Sequence, residues 1–563
     1  MTTNTTDIGP ITFTILWDRL VAITEEMGTV MRRTGKSEAV VSGQDFSTGL
    51  FDADGNLIAQ GNFSPGHLGS MPYAVDHVLD EFDADAFEPG DGVFLNDPYL
   101  GSGHLPDLYL CTPIFVDETL HGFAVTVAHQ SDIGGMTPGS QAVEATELYQ
   151  EGLRILPMKG IEDDAIQPWF RRLLEANVRV PETVIGDVRA QQNATHRGHR
   201  LFRNLFEEYG ADTIAACLDR IYDESEGQMR TAIGKIPDGE YDFDDRIDDV
   251  GPDTDSVDIA VTITVDGETV TLDYAGSDPQ TESAINSYLN YTRAYSIFAI
   301  KSVTEKDLPF NAGVDRPIQV EAPAGSFFNP ELPAACAARA IINPRIFELV
   351  MGALAEVLPE RVIAGSSHFG QPHFGGTDPE TGESFILFDL VIGGLGGSAG
   401  EDGEEGYCSS FNVSNIPVEI HESRYPVRVD RLELVPDSGG AGRHRGGLGL
   451  RKDFTLLADD VTFTNLLERT DSAPWGLHGG EAGDTGRTAL NPEGEAADLH
   501  PKGTYELDRG DTVSFQLSGA GGFGDPAERD PAAVETDVRK GFVSAEAARE
   551  TYGVDRSALE GDG

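Results

Sequence analysis

Lysine is scarce in this chain: 8 residues among 563, against 32 arginines. These 40 bases face 95 acids, a formal net charge of −55. An excess of that size repels a phosphate backbone and argues against nucleic acid as a partner. The acids are spread along the whole chain rather than gathered in a tail. That is the pattern of a protein dissolved in concentrated salt, where dense carboxylates hold water and salt screens their repulsion. A halophile's cytoplasm is the expected setting. Cysteine is equally sparse: Cys111, Cys217, Cys336 and Cys408 are far apart, with no Cys-x-x-Cys pair. This excludes a tight disulfide framework and predicts small buried thiols in a reducing compartment. No run of about eighteen apolar residues occurs, and no basic stretch leads into an apolar core at the N-terminus, so neither a membrane span nor export is expected. A phosphate-binding Gly-x-x-x-x-Gly-Lys-Ser/Thr loop is also missing, as is a dinucleotide fingerprint after a strand. Any ATP used with this chain is therefore expected on another one. Gly396-Gly-Ser398-Ala-Gly400 matches the letters of a nucleophile elbow, but an acidic Gly-rich loop follows where that mechanism needs a helix.

What the chain does contain is length and ordinary apolar content. At 563 residues and 39% hydrophobic it is too long for one core, and roughly three or four domains are expected. Ile15, Leu16, Leu20, Ile23, Met27, Val30 and Met31 recur at helical spacing and predict an opening amphipathic helix over 11–33. Phe46 to Gln60 reads as two short strands around Asp-Ala-Asp-Gly. A helix is expected over 181–209. It carries His196, Arg197, His199, Arg200 and Arg203, read as a solvated face rather than an anion site. Alternating strands begin near Pro237, with a turn at Asp266-Gly267, and a further helix fits 341–358. From Phe385 the chain is rich in Gly, with short strands and turns. The expected class is α+β and multidomain. An N-terminal α/β part over 1–231 bears the site, followed by a middle α+β domain (232–384), a β-rich, Gly-rich domain (385–530) and a helical tail (531–563).

The chemistry is concentrated in a doubled signature, His104-Leu-Pro-Asp107 and His129-Gln-Ser-Asp132. The runs 108–116 and 122–129 read as antiparallel strands joined through 117–121. With Val116 opposite Phe123, the register brings His129 near Leu110 and Asp132 near Asp107, so both sets meet at the open end of the ribbon. Imidazole and carboxylate together suit Zn, Mn or Fe, and three or four such ligands with an open position describe a catalytic site. Polar loop residues joined by hydrogen bonds are the plainer alternative. His368 and His373 in HFGQPHFGG lack a carboxylate framework nearby in sequence and read as a polar Gly-rich loop.

Ten segments occurring in order carry a family resemblance: RRTGKSEAVVSGQDFSTGLFDADG, NDPYLGSGHLPD, AHQSDIGG, LYQEGLRI, NVRVPETVIGDVRAQ, DYAGSDPQ, NAGVDRPIQVEAP, DSGGAGRHRGGLG, PWGLHGG and GGFGDPAERDP. Together, over about residues 10–555, they resemble the hydantoinase B, 5-oxoprolinase and acetone carboxylase alpha-subunit family. The resemblance implies a divalent metal, Zn or Mn, held by Asp45, His104, Asp107 and His129; Asp45 is not reachable from spacing. Many relatives have a second His where this chain has Gln130, which leaves the metal identity open. The implied chemistry is ATP-dependent opening of a cyclic amide, a hydantoin or 5-oxoproline, with ATP on a hydantoinase A-type partner and a heterotetramer of two chains of each kind. The carboxylase branch, which joins bicarbonate to a ketone, shares nearly every residue. A noncatalytic scaffold for the ATP-binding subunit is the alternative of another class.

Four further residues are catalytic candidates. Asp132 is cast as an acceptor that orients an imidazole, with a fifth ligand or a turn cap as alternatives. Glu147, Glu151 and Arg154, with Gln150, follow the metal segment and are candidates to line the substrate pocket; a structural helix start is the competing reading. The Asp437-Ser-Gly-Gly440 and Arg445-Gly-Gly447 segments read as architectural turns.

Overall fold

Strand parity organises the first layer of the computed structural model, which describes residues 8–554. Its sheet has seven strands in the order β2 (Leu57–Gln60), β1 (Phe46–Asp52), β5 (Thr119–His129), β4 (Asp107–Val116), β3 (Gly92–Leu95), β6 (Met158–Glu162) and β7 (Ala165–Ile166). Every neighbouring pair is antiparallel. On β5, Ala124 and Ala128 join a core with helices α1 (Pro10–Thr34), α4 (Pro181–Tyr209) and α5 (Ala211–Ile233). Phe123, Val125 and Val127 join a different core with α2 (Pro65–Glu81). By the two-residue period, His129 shares the α2 face, and so does Asp107 with Tyr109 on β4. The fold thereby aims both residues at one helix.

The helices form where their apolar spacing places them. In α1 the buried stripe is Phe13, Leu16, Leu20, Ile23, Met27 and Met31, as a helix packed on one side requires. Ile15, expected in that stripe, is 45% exposed because the stripe runs one residue to its side. The basic residues of α4 are held in surface ion pairs, Arg197 with Glu26, Arg203 with Glu207 and His196 with Asp164. A short helix, α3 (Pro168–Asn177), stacks Phe170 on Phe94 with ring centres 4.5 Å apart.

The ribbon β4–β5 corrects the expected register. The connection is two residues, Asp117 and Glu118, both at positive φ (48° and 65°), the conformation of a tight hairpin turn. Val116 therefore pairs with Thr119 and, after a bulge between Ile114 and Phe115, Asp107 lies directly opposite His129. The expected pairing had placed His129 near Leu110 and Asp132 near Asp107. It failed because 117–121 was read as one open loop.

A second layer holds β11 (Ile318–Glu321), β10 (Thr269–Asp273), β9 (Val257–Asp266) and β8 (Gly239–Ile247), in that order. Between β10 and β11 run α6 (Leu289–Thr304) and the single turn α7 (Ala312–Asp315). Against this sheet pack α6 and α8 (Asn343–Ala353). α8 is shorter than the expected 341–358 because residues after Ala353 continue only as turns, Leu358 N–H donating to Leu354 O at 2.8 Å. Beyond it, among the described residues, lie a two-stranded ribbon of Phe369–Gly370 with Val391–Ile392 and two larger antiparallel sheets. One joins His373–Thr377, Ser384–Phe388, Val461–Leu466 and Lys502–Leu507; the other is built on Val427–Leu434, Leu450–Leu456 and Thr512–Gln516. Phe374, Leu387, Phe454, Phe463 and Val513 fill the space between them. The hairpin of 373–377 with 384–388 spans the expected boundary at 385. Glycine is abundant here because main chain lies on main chain: a Cβ on Gly519 would sit 1.8 Å from Ser438 O. After Ser398 no helix forms until Val418, which disposes of the nucleophile elbow. Helices Pro531–Lys540 and Ala545–Glu550 follow; residues 555–563 of the expected tail lie outside the described residues. The mixed helix-and-sheet architecture is of the expected α+β class.

A buried ionic network ties the second layer to the sheets beyond it. Arg345 on α8 meets Asp245 at 2.8 Å, Glu468 at 3.1 Å and Glu348 at 3.4 Å, while Lys502 meets Glu468 at 2.6 Å. Removing one member leaves buried charge without its partner. Arg345→Met is expected to cost about 3–5 kcal/mol, seen as a lower midpoint in urea unfolding followed by fluorescence.

Candidate metal centre

Asp107 is the hub of the site. Its Oδ1 lies 3.0 Å from His104 Nε2 and 3.2 Å from His129 Nδ1, and those two nitrogens are 3.1 Å apart. All three side chains are buried. Each comes from a different local cause: His104 from the turns before β4, Asp107 from the first residue of β4, His129 from the last of β5. Asp45 stands just before β1, where His129 N–H donates to its carbonyl at 3.1 Å. Gln44 enters that corner at φ 60°.

Outer contacts fix the rings and the carboxylate. His104 Nδ1–H donates to Ala337 O at 2.7 Å, which leaves the Nε2 lone pair facing the cluster. His129 Nε2 lies 3.3 Å from Gln141 Nε2, an amide donor, while Gln141 Oε1 is buried without a hydrogen-bond partner. A 180° turn of that amide puts the oxygen on Nε2–H and leaves Nδ1 its lone pair. Asp107 Oδ2 accepts from Arg339 Nη2 at 2.6 Å and from Tyr291 O–H at 3.0 Å, so the second carboxylate oxygen is neutralised away from the histidines. Arg339 in turn lies over the Tyr291 ring, 3.9 Å from its centre. A Cβ on Gly103 would land 1.8 Å from Arg339 Nη2, so a larger residue there would displace the guanidinium from Asp107.

The electrostatics suit a cation. Burial pushes His104 down to about 4, holding it neutral and able to donate a lone pair. Burial pushes the Asp45 carboxyl up, against the pull of His129 and His67. For His67 burial pushes downward, but the Asp107 and Asp45 carboxylates outweigh it and raise the imidazole. Asp45 Oδ1 and His67 Nδ1 are buried and have no hydrogen-bond partner. Converging imidazole nitrogens, one free carboxylate oxygen and an unpaired second carboxylate form the donor set that a borderline divalent ion takes.

Sequence reasoning missed His67. It sits in the first turn of α2, with Nε2 3.4 Å from Asp107 Oδ1 and 3.8 Å from Asp45 Oδ1. A lone His after Ser64-Pro65 has no spacing signal; only the packing of α2 on β4 and β5 reveals it. Arg339 and Tyr291 were missed for the same reason. The reading of His368 and His373 is also corrected. His368 Nε2 lies 3.1 Å from Glu348 Oε1, so the carboxylate exists but comes from α8. His373 is buried behind Phe388, whose ring packs on both His373 and His129 at 5.0 and 4.8 Å.

A profile of the family described as Hydantoinase B/oxoprolinase matches residues 9–526. A protein named as the B-type subunit of a D-/L-hydantoinase, from Pseudomonas sp. (strain NS671), is 34% identical over 566 residues, covering 97% of this chain and 95% of that one. The chain belongs to the hydantoinase B/oxoprolinase family. Among solved structures, the crystal structure of ATP-dependent caprolactamase from Pseudomonas jessenii superposes with a TM-score of 0.91 at 28% identity, over 98% of this chain and 97% of that one. The nucleotide-free structure of acetone carboxylase gives 0.90 at 20% identity, over 98% and 82%, and shares the fold. No helix among the described residues is long and apolar enough to cross a membrane.

Within this member of the hydantoinase B/oxoprolinase family the four catalytic candidates fall outside the cluster. Asp132 touches no imidazole: it accepts from Arg179 Nη1 at 2.8 Å and Arg179 N–H at 2.7 Å, and from the Gly134 and Gly139 amides at 3.3 Å. It caps turns, because the corrected register carries it past the ribbon's end. Glu147 is exposed and closes a capping box with Gln150 on a short 3-10 turn. Arg154 pairs with Asp97, whose carboxylate also accepts from Tyr99 N–H. Glu151 is the informative one. Its buried Oε1 accepts from Cys336 N–H at 2.5 Å and Ala337 N–H at 2.8 Å, and so holds the carbonyl that orients His104.

Burial pushes Glu151 up from 4.5 to about 8, against those amide donors. Between those values the unfolded chain has lost the proton and the folded chain keeps it, so stability falls as pH rises, at up to about 1.4 kcal/mol per unit. Glu151→Gln keeps the accepting oxygen and removes the ionisation. Urea unfolding from pH 5 to 9 is expected to show the wild type weakening across this window and the variant staying flatter.

Proposed function

We propose that the chain is the metal-bearing subunit of an ATP-dependent cyclic amide hydrolase, working with an ATP-binding hydantoinase A-type partner in a heterotetramer of two chains of each kind. The observation that carries the reading is the convergence of His104 Nε2, His129 Nδ1 and Asp107 Oδ1 within 3.2 Å of one another at a buried point. The relatives give it direction, since hydantoin and caprolactam are both cyclic amides. The ketone carboxylase alternative has support from fold alone.

An unstrained amide is a poor electrophile because its nitrogen donates into the carbonyl. Phosphorylation of the amide oxygen by ATP held on the partner removes that donation and creates a leaving group. His104, Asp107, His129, Asp45 and His67 would hold a Zn or Mn ion, which would supply Lewis acidity and lower the pKa of a bound water. The chain's own residues do the rest. Ala337 O and Gln141 fix the two imidazole rings; Arg339 and Tyr291 hold Asp107 so that one oxygen faces inward. The surrounding space of about 10 Å³ admits roughly one water, which keeps bulk solvent from the reaction.

Co-purification with the partner in high salt, followed by assay of ATP-dependent ring opening of hydantoin, 5-oxoproline and caprolactam, tests the reading. His129→Ala is expected to lose bound metal and at least about 100-fold in turnover while still assembling. Full activity in that variant would make this chain a scaffold, and carbon dioxide fixation onto acetone without ring opening would make it part of a carboxylase.

A further inference from the structure

A space that holds one water cannot admit a cyclic amide, so the reacting ring must arrive from elsewhere. Phe411 lines both the metal-ligand space and a second cavity of about 410 Å³, a volume typical of small-molecule sites. Two helices run from one to the other. Ser64 at the N-cap of α2 and His67 in its first turn face the ligand set, and Pro65, Leu68 and Gly69 line the cavity. On α6, Tyr291 reaches Asp107, and Ala294, Phe298 and Lys301 follow into the cavity at three-, seven- and ten-residue offsets, one face of a helix. Other walls come from residues 60–63 and 306–310, and one from the segment around 407–412. That segment is tied across by Asn412 Nδ2 donating to Asn62 O at 2.7 Å, and Phe411 stacks on Phe369 with centres 4.6 Å apart.

The lining matches a cyclic amide. Phe63, Phe298, Phe310 and Phe411 give apolar walls for ring methylenes. Its charged residues are two acids, Glu25 and Asp307, and two lysines, Lys301 and Lys306, so it sets no demand for a charged ligand. Gln60 Oε1 and Ser409 Oγ line it without any hydrogen-bond partner. A buried polar atom left unpaired is costly, and these two complement the N–H and C=O of one ring amide group. We propose that this cavity receives the cyclic amide, with Gln60 and Ser409 as its hydrogen-bond partners and Phe411 as the wall it passes to reach the metal centre. The proposal rests on the cyclic amide reading above.

The test uses the full chain loaded with Co²⁺, with azide entry to the metal followed by visible absorption in a stopped-flow experiment. Phe411→Ala is expected to speed azide entry about tenfold, with Phe411→Leu as the milder variant should the first lose Co²⁺. Saturating 2-pyrrolidinone is expected to slow azide entry about fivefold in the wild type and to have little effect in a Gln60→Leu, Ser409→Ala double variant that retains Co²⁺. Unchanged azide kinetics in the Phe411 variants, or no protection by 2-pyrrolidinone, would overturn the proposal. A chain that takes up no Co²⁺ overturns the metal centre and this route together. Faster azide entry in the Phe411 variants and protection by 2-pyrrolidinone, without ATP-dependent ring opening, would instead count against the hydrolase reading alone.

Discussion

The division of labour between the two oxygens of Asp107 is the constraint on which the site depends. Oδ2 accepts from Arg339 and Tyr291, Oδ1 faces two imidazole nitrogens, and these neighbours come from separate parts of the chain. Without the guanidinium, a buried carboxylate beside Asp45 would carry uncompensated charge; without the histidines, the Arg339–Asp107 pair would be an ordinary buried salt bridge. Holding both at once makes the inward face of Asp107 an acceptor with nothing left to satisfy it but a cation.

Much of the frame is legible in the sequence because it follows from local periodicity. The helix over 181–209, the opening helix and the hairpins at Asp54-Gly55 and Asp266-Gly267 lie where spacing and turn residues put them. Three of the cluster's residues are legible as a doubled His-x-x-Asp signature and its hairpin, although the register was wrong by the length of one turn. What could not be read is whatever depends on packing between layers. His67 on α2, Arg339 before α8 and Tyr291 on α6 carry no mutual spacing. Glu348, which pairs with His368, is equally invisible from HFGQPHFGG. Asp132, Glu147 and Arg154 show the opposite error: polar residues close in sequence to a ligand can be turn caps and surface pairs.

The acidity of the chain also takes on a different shape in three dimensions. Two of the few lysines, Lys452 and Lys502, are buried against Asp389 and Glu468 rather than displayed. Their ammonium groups serve interior ion pairing, which high salt screens little. Arg339 and Arg345 are buried in the same way, so bases of both kinds are drawn inward where a buried acid needs one.

Arg339 lies 232 positions beyond Asp107, and the contact between them closes the site. A contact spanning that much chain forms late, after both layers have collapsed and docked. Asp45, His67, His104, Asp107 and His129 all belong to the first layer, so what late docking adds is the clamp: only a chain whose layers have met correctly holds Asp107 in a single orientation.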